Sequence, residues 1–228
     1  MRKLAAVIGL ASVAAVGSLL AGCAGGKTRA SETSKSPSQI LKDAQRAVST
    51  ARSVHMAGHG VAQGQAARLD LSLVRGLEAT GKLMLFGGSV ELVRVRDNVY
   101  MRGDRSFWRH FGSSRAKLAL LTGRWVEAPA SVPALKGIAS VTDISGLSSM
   151  LAEHGKVISD GVRTFRGQKV VALRDANEGG TLYVRATGTP YPVASVEKGH
   201  SETIVFDRWN QHVVVRAPKN ALSLGTSA

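Results

Sequence analysis

The chain has 228 residues, and its 30 Lys and Arg side chains against 16 Asp and Glu give a formal net charge of +14. An apolar fraction of 44% is that of a globular protein, which excludes a disordered chain and a collagen-like repeat. A single cysteine excludes an intrachain disulfide, so the fold depends on burial of apolar side chains. The length allows one substantial domain or two small ones.

The first 23 residues have the features of an export signal. Arg2 and Lys3 precede 17 uncharged residues, 4–20, and small residues then lead to Cys23. This arrangement is typical of a secretory signal, whereas a membrane-spanning helix needs about 20 apolar residues. The run Leu20-Ala21-Gly22-Cys23 resembles the bacterial lipobox, which implies cleavage before Cys23 and diacylation of its thiol. The alternatives are an ordinary cleaved signal peptide, in which Cys23 is incidental, and a plain membrane anchor.

These features predict three segments: a lipoprotein signal peptide (1–22), a lipidated N-terminus with a flexible polar tether (23–36), and a single folded domain (37–228). The tether reaches at most about 45 Å when extended. Two acyl chains are enough for stable attachment to a membrane. We therefore expect the protein to be anchored through Cys23 in the lipid of the cell membrane, on its extracytoplasmic face.

Hydrophobic periodicity predicts one helix followed by a mostly β domain. Ser36 and Pro37 are typical of a helix start, and apolar side chains recur at helical spacing over 37–52. From Ser53 onwards the apolar positions alternate as they do in half-buried strands. This alternation fades between residues 104 and 153, where short helices are predicted at 115–121 and 143–153. Further strands are predicted at 157–165, 169–173, 181–185, 193–197, 203–206 and 213–216. Strands at this spacing, without helices between neighbours, favour an antiparallel sheet in one domain.

Several short segments, taken in their order along the chain, resemble a known family. They are Ser53-Val54-His55, Asp97-Asn98-Val99-Tyr100, Phe107-Trp108 and the ending 201–218, and they follow a lipobox, a polar tether and a helix. The chain resembles the actinobacterial lipoproteins of the LppX/LprG type and, more distantly, the LolA/LolB lipoprotein carriers. The resemblance implies an α+β, mostly β fold, in which a strongly curved antiparallel sheet forms a half-open barrel covered by a few helices.

The resemblance also implies a ligand site, because the carrier members hold acyl chains of a lipid or lipoprotein in the hollow of the sheet. The candidate lining residues are apolar side chains of the predicted strands: Leu71, Leu73, Leu83, Leu85, Leu92, Leu182, Val184, Ile204 and Phe206. The alternative is that these side chains fill a closed core. In that case the protein is a non-catalytic interaction module that docks on an envelope partner.

No catalytic or metal-binding pattern is found in the sequence. His55 and His59 are four residues apart, which on a strand separates them by about 13 Å. The nucleophile elbow, the phosphate-binding loop and the zinc-protease motif are all missing from the sequence. We therefore expect neither an enzyme nor a cofactor.

Half of the net positive charge of the mature chain is concentrated in residues 94–124. Eight basic side chains stand there against two acidic ones, and aromatic residues are interleaved with them. An exported lipoprotein rarely meets nucleic acid, so we interpret this segment as a surface facing a membrane or anionic lipid, with Arg102, Arg105 and Arg109 as the candidate contacts. The alternative is a solvated basic face without a partner. The oligomeric state is left open.

Overall fold

The computed structural model describes residues 31–62, 64–111, 114–152, 156–177, 179–200 and 202–224. The helix predicted for the start of the domain is present as α1 (Pro37–Thr50). Ser36 caps it, because its hydroxyl accepts a hydrogen bond from the Gln39 amide at 3.3 Å. The apolar face of α1 is buried, and its members are Ile40, Leu41, Ala44, Ala47 and Val48. The helix therefore covers the sheet, as its amphipathic pattern requires.

The described residues include twelve strands that form one sheet. In chain order these are β1 (Ser53–Ala62), β2 (Gln65–Val74), β3 (Glu78–Leu85), β4 (Gly88–Val95), β5 (Asn98–Gly103), β6 (Val126–Pro129), β7 (Val157–Phe165), β8 (Gln168–Asp175), β9 (Thr181–Arg185), β10 (Pro192–Val196), β11 (Thr203–Asp207) and β12 (Leu222–Ser223).

The sheet is curved but does not close on itself. Its spatial order is β12-β6-β5-β4-β3-β2-β1-β11-β10-β9-β8-β7, so β12 and β7 are its two edges. All neighbouring strands are antiparallel except β12, which runs parallel to β6. Two meanders, β1–β6 and β7–β11, meet where β1 pairs with β11. Short turns such as Arg166-Gly167, both with positive φ, connect successive strands and keep them adjacent.

Four further helices lie in the connections from β5 to β6 and from β6 to β7. They are α2 (Arg105–His110), α3 (Arg115–Leu121), α4 (Lys136–Val141) and α5 (Ile144–Ala152), and a 3-10 turn, Pro133–Leu135, precedes α4. Their apolar residues share one buried cluster with α1 and one face of the sheet. In the part of the chain that the structure describes, no helix is both long and apolar enough to cross a membrane.

The predicted fold class, a mostly β domain with a curved, open sheet, is confirmed. The predicted strand at 213–216 is wrong, because these residues pair with no strand and Val214 is 57% exposed. That strand was predicted from its spacing and from the run Val213-Val214-Val215, and a short run of β-branched residues does not specify a pairing partner. The segment 31–36 was predicted as tether, yet Glu32 is only 1% exposed and its amide donates to Ala186 O at 2.9 Å.

Candidate functional site

A cavity of about 860 Å³ lies at one end of the sheet. One wall is made by the outer ends of β1, β2 and β3 together with the start of β11. The opposite wall is made by the end of α2, the 3-10 turn and α4. Val141 on α4 lines the cavity and is 38% exposed, so the space opens to solvent beside this helix.

The residues that face the cavity from the adjoining ends of β1 and β2 are small. On β1 the inward residues that line the cavity are Gly60 and Ala62, which follow the buried Met56 on the same face. Gly60 pairs with Ala67 on β2, which is also small. Further along the same face Met56 pairs with Leu71, and both are buried in the core. Beyond Met56 and Leu71, the small side chains of β1 and β2 leave the space next to the sheet unfilled.

Two basic residues of this wall point away from the cavity. His59 and Arg68 are directly opposite each other in the β1–β2 pair, and both are exposed. They share a face with His55, since side chains two or four residues apart on a strand project to the same side. His55 on that face contacts Asp70 and Asp207, whereas the core residues occupy the other face. His59 and Arg68 thus contribute backbone to the cavity wall.

Glu202 is the one acidic residue among those that line the cavity. It immediately precedes β11, whose Thr203 is paired with His59 on β1. The Glu202 side chain lies over Gly60, where a Cβ atom would come within 3.1 Å of its Cδ. Glu202 Oε1 accepts a hydrogen bond from the Val61 amide at 3.1 Å. This bond fixes a carboxylate at the rim of an otherwise apolar space.

An aromatic cluster closes the side of the cavity next to α2. The rings of Phe86 and His110 are stacked, with centroids 3.5 Å apart and an interplanar angle of 6°. Phe86 occupies the turn between β3 and β4 with a φ of 55°, an unusual conformation for a bulky residue. The ring of Phe111 approaches both of them edge-on. These contacts join the β3–β4 turn to the end of α2.

The position of α2 depends on Asp104 and Gly88. Asp104 caps the helix through a 2.8 Å bond from the Phe107 amide, and its second oxygen accepts from Ser89 N on β4. A Cβ atom on Gly88 would lie 2.2 Å from Phe107 N, so only glycine allows this close approach. Helix α2 was not predicted from the sequence, although Asp104 is a residue type favoured at the N-cap of a helix.

Of the predicted hollow residues, Leu83, Leu85 and Ile204 line the cavity. The other six are in the closed core at no more than 6% exposure: Leu71, Leu73, Leu92, Leu182, Val184 and Phe206. Leu182 also borders a second space, whose volume of about 20 Å³ is enough for one water molecule at most. Most of the large apolar side chains selected from the sequence therefore belong to the closed core.

The three predicted membrane-facing arginines have different surroundings. Arg102 contacts Glu91 through its guanidinium and lies 5.0 Å from the centre of the Trp125 ring. Arg105 and Arg109 are exposed on α2, and Arg109 donates to Ser106 Oγ at 2.9 Å. No salt bridge of Arg105 or Arg109 is found in the described part of the chain. Their charges, beside the cavity, are therefore available to a partner.

Of the two histidines considered as a metal site, His59 is exposed to solvent. His55 is buried, with Nδ1 2.6 Å from Asp207 Oδ1 and Nε2 3.0 Å from Asp70 Oδ1. Within the described ranges no group of three His, Cys, Asp or Glu side chains could hold a metal ion. Cys23, the predicted lipidation site, lies outside the described residues, as does the predicted signal peptide.

Two solved structures share this architecture. LprF from Mycobacterium bovis is 15% identical and superimposes with a TM-score of 0.56. The superposition covers 80% of this chain and 96% of LprF. The Mycobacterium tuberculosis lipoprotein LppX is 14% identical, with a TM-score of 0.53. The superposition covers 79% of this chain and 98% of LppX. No protein-family model and no curated protein matches the chain. The likeness to lipoproteins of the LppX type that the sequence suggested is thus confirmed at the level of the fold.

Proposed function

We propose that this protein is a lipid-anchored envelope lipoprotein whose domain binds or carries a lipid or another acylated molecule in the cavity. The observation that carries the proposal is the cavity itself. It has about 860 Å³ of space, within the range of known ligand pockets, and its inward side chains are apolar apart from Glu202 and His110. A non-catalytic role agrees with the scarcity of polar groups there.

Anchoring through Cys23 is the second part of the proposal. Because Glu32 is buried and Ser31 forms a bridge with Thr187, the chain already contacts the domain at residue 31. Residues 24–30 then form the tether in place of the longer segment expected from the sequence. Eight residue steps from Cys23 to Ser31 span at most about 28 Å. The domain would therefore remain close to the membrane surface.

The basic surface is the third part. Arg105 and Arg109 lie on α2, whose last residue His110 lines the cavity. A surface that faces an anionic membrane would gain about 1 kcal/mol for each basic group near it. We propose that these two arginines orient the mouth of the cavity toward anionic lipid, and that Arg102 contributes less because Glu91 already neutralises it.

The decisive experiment is to identify what co-purifies with the domain. The mature chain, residues 23–228, carrying Cys23→Ser has no acyl chains of its own, so any lipid extracted from it must come from the cavity. We expect mass spectrometry of the extract to show a bound acyl compound in near-stoichiometric amount. A domain that is consistently empty, and that takes up no added lipid, would support a role as an interaction module instead.

A further inference from the structure

We propose that Glu202 makes the cavity selective for uncharged acyl compounds over those with an anionic end group, an inference that rests on the proposed lipid-binding function. Glu202 is the one acidic side chain lining the cavity, and it stands at the end of β1 where the wall is formed by Gly60 and Val61. A ligand whose chain fills the apolar space and whose polar end lies at this rim would meet this carboxylate.

The orientation of Glu202 is fixed by the backbone. Oε1 accepts the Val61 amide at 3.1 Å, and β11 is paired with β1 from His59 to His55. The side chain also packs over Gly60, where its Cγ, Cδ and Oε2 would all lie within 3.3 Å of a Cβ atom. The carboxylate is therefore held at the cavity wall by two neighbouring strands.

No cation compensates Glu202 from the same side of the sheet. Within the described residues it forms no salt bridge, and its Oε2 has no hydrogen-bond partner. The nearby His59 and Arg68 project from the opposite face. His110, the other polar side chain of the lining, is stacked flat against Phe86. Oε2 is thus available to accept a hydrogen bond from a bound ligand.

The chemistry of this oxygen predicts what it selects. A carboxylate repels another carboxylate or a phosphate, and this repulsion is stronger beside apolar walls than in water because screening is weaker there. The same oxygen accepts a hydrogen bond from a hydroxyl or amide group. An ester, alcohol or amide of a fatty acid should therefore bind in preference to the free acid.

The test compares two fluorescent probes that differ by one charge, cis-parinaric acid and its methyl ester, by titration of the mature chain carrying Cys23→Ser. We expect the methyl ester to bind at least about tenfold more tightly than the acid. In Glu202→Gln, whose amide oxygen can still accept the Val61 hydrogen bond, the two affinities should become similar. Glu202→Asp, which keeps the charge, should retain the preference.

The matched control is Glu78→Gln, which removes the same charge from the first residue of β3, at the far end of that strand from the cavity. It should leave the preference unchanged. Equal binding of the two probes to the parent chain, or a preference that persists in Glu202→Gln, would overturn the selectivity proposal while leaving the lipid-binding function intact. Failure of both probes to bind would instead count against the lipid-binding function itself.

Discussion

His55 is in contact with Asp207, with 2.6 Å between Nδ1 and Oδ1, and this contact joins β1 to β11 where the two meanders meet. Its Nε2 is 3.0 Å from Asp70 Oδ1 on β2, so a single imidazole connects three adjacent strands. His55 is buried, whereas Asp70 and Asp207 are exposed. The seam between the meanders is therefore held by polar contacts on the face opposite the cavity.

Replacing His55 should loosen this seam. His55→Ala removes both contacts and leaves two carboxylates without their shared partner, so we expect a loss of about 1–3 kcal/mol in the free energy of unfolding. Urea denaturation followed by circular dichroism measures it. The control is His59→Ala on the same strand and face, whose exposed side chain should change stability by less than about 0.5 kcal/mol. Equal effects of the two variants would contradict the role of His55.

Filling the cavity should abolish ligand binding without unfolding the domain. Ala67 is half-buried on the inward face of β2 and lines the cavity, so Ala67→Phe places a ring in the empty space. We expect at least a tenfold loss of probe affinity, with a melting temperature close to that of the parent chain, because no occupied core volume is displaced.

The control for this substitution is the preceding residue in the chain. Ala66 is exposed on the other face of the same strand, so Ala66→Phe adds the same ring outside the cavity. It should retain full affinity. Strong destabilisation by Ala67→Phe alone would mean that the space at residue 67 is occupied in solution, as the closed-core alternative requires.

Much of the fold follows from patterns that are local in the sequence. Alternation and helical spacing located α1, the strand at 157–165 and the helix at 115–121 with bounds that match the structure closely. These elements are long enough to show a periodic apolar face, and neighbouring turns mark where they begin and end. By contrast, β6 was not predicted, because its four residues are too few to show a period and its status depends on pairing with β5.

The cavity was harder to predict because it depends on what is missing from the sheet. A search for large apolar side chains selects residues such as Leu71 and Phe206, and these are the ones the core buries. The signal for the empty space is the pair of small inward residues Gly60 and Ala62 at the end of β1, with Ala67 opposite Gly60 on β2. Glu202 was missed because its role depends on a pairing of β1 with β11, which are more than a hundred residues apart.

Arg94 should be essential to the wall of the cavity. It is only 7% exposed and connects β4 to α4 through hydrogen bonds to Ala139 O at 2.7 Å and Thr142 Oγ1 at 3.1 Å. Arg94→Met removes these charge-assisted bonds between β4 and α4, so we expect a loss of about 2–4 kcal/mol in the free energy of unfolding. Thermal unfolding measures the loss. Arg96→Met, at the exposed turn two residues later, is the control and should have little effect.

The proposed membrane contact predicts different effects on vesicle binding for the three arginines of the basic surface. Arg105→Ser combined with Arg109→Ser should weaken binding to vesicles rich in anionic lipid by about 2 kcal/mol, or about thirtyfold, because each charge is free to face the membrane. Arg102→Ser should have a smaller effect, since this residue contacts Glu91 and Trp125. Co-sedimentation of the mature chain carrying Cys23→Ser with vesicles measures the affinity.

The control for the basic surface removes two charges from a distant part of the sheet. Arg163 and Arg166 are exposed on the hairpin formed by β7 and β8, at the opposite edge from β5 and β6. Arg163→Ser combined with Arg166→Ser should leave vesicle binding nearly unchanged. If both double variants lose affinity equally, binding depends on total charge, and the orientation proposed for the cavity mouth fails.

The N-terminal segment should contribute stability that depends on pH. Lys35 Nζ lies 2.6 Å from Asp43 Oδ2 and 2.9 Å from Glu32 Oε1. The hydrogen bond from Lys35 lowers the pKa of Asp43 below its ordinary value of 3.8, and the bond to Asp43 raises the pKa of Lys35 above 10.5. Both shifts favour the charged pair in the folded protein.

The direction of the pH effect follows from these shifts. A lowered carboxyl pKa stabilises the fold fully above the unfolded value, and this stability is lost as the pH falls through the folded pKa. The raised Lys35 pKa acts in the opposite direction, so its contribution is present below pH 10.5 and is lost as the pH rises through the folded value.

The difference in unfolding free energy between the parent chain and Lys35→Met should therefore be constant between about pH 5 and 9 and shrink in acid below about pH 4. Denaturation curves at each pH measure this difference, and Arg46→Met, which removes an exposed partner of Asp43, is the control. A difference that stays constant down to pH values well below 3.8 would contradict the pairing of Lys35 with Asp43.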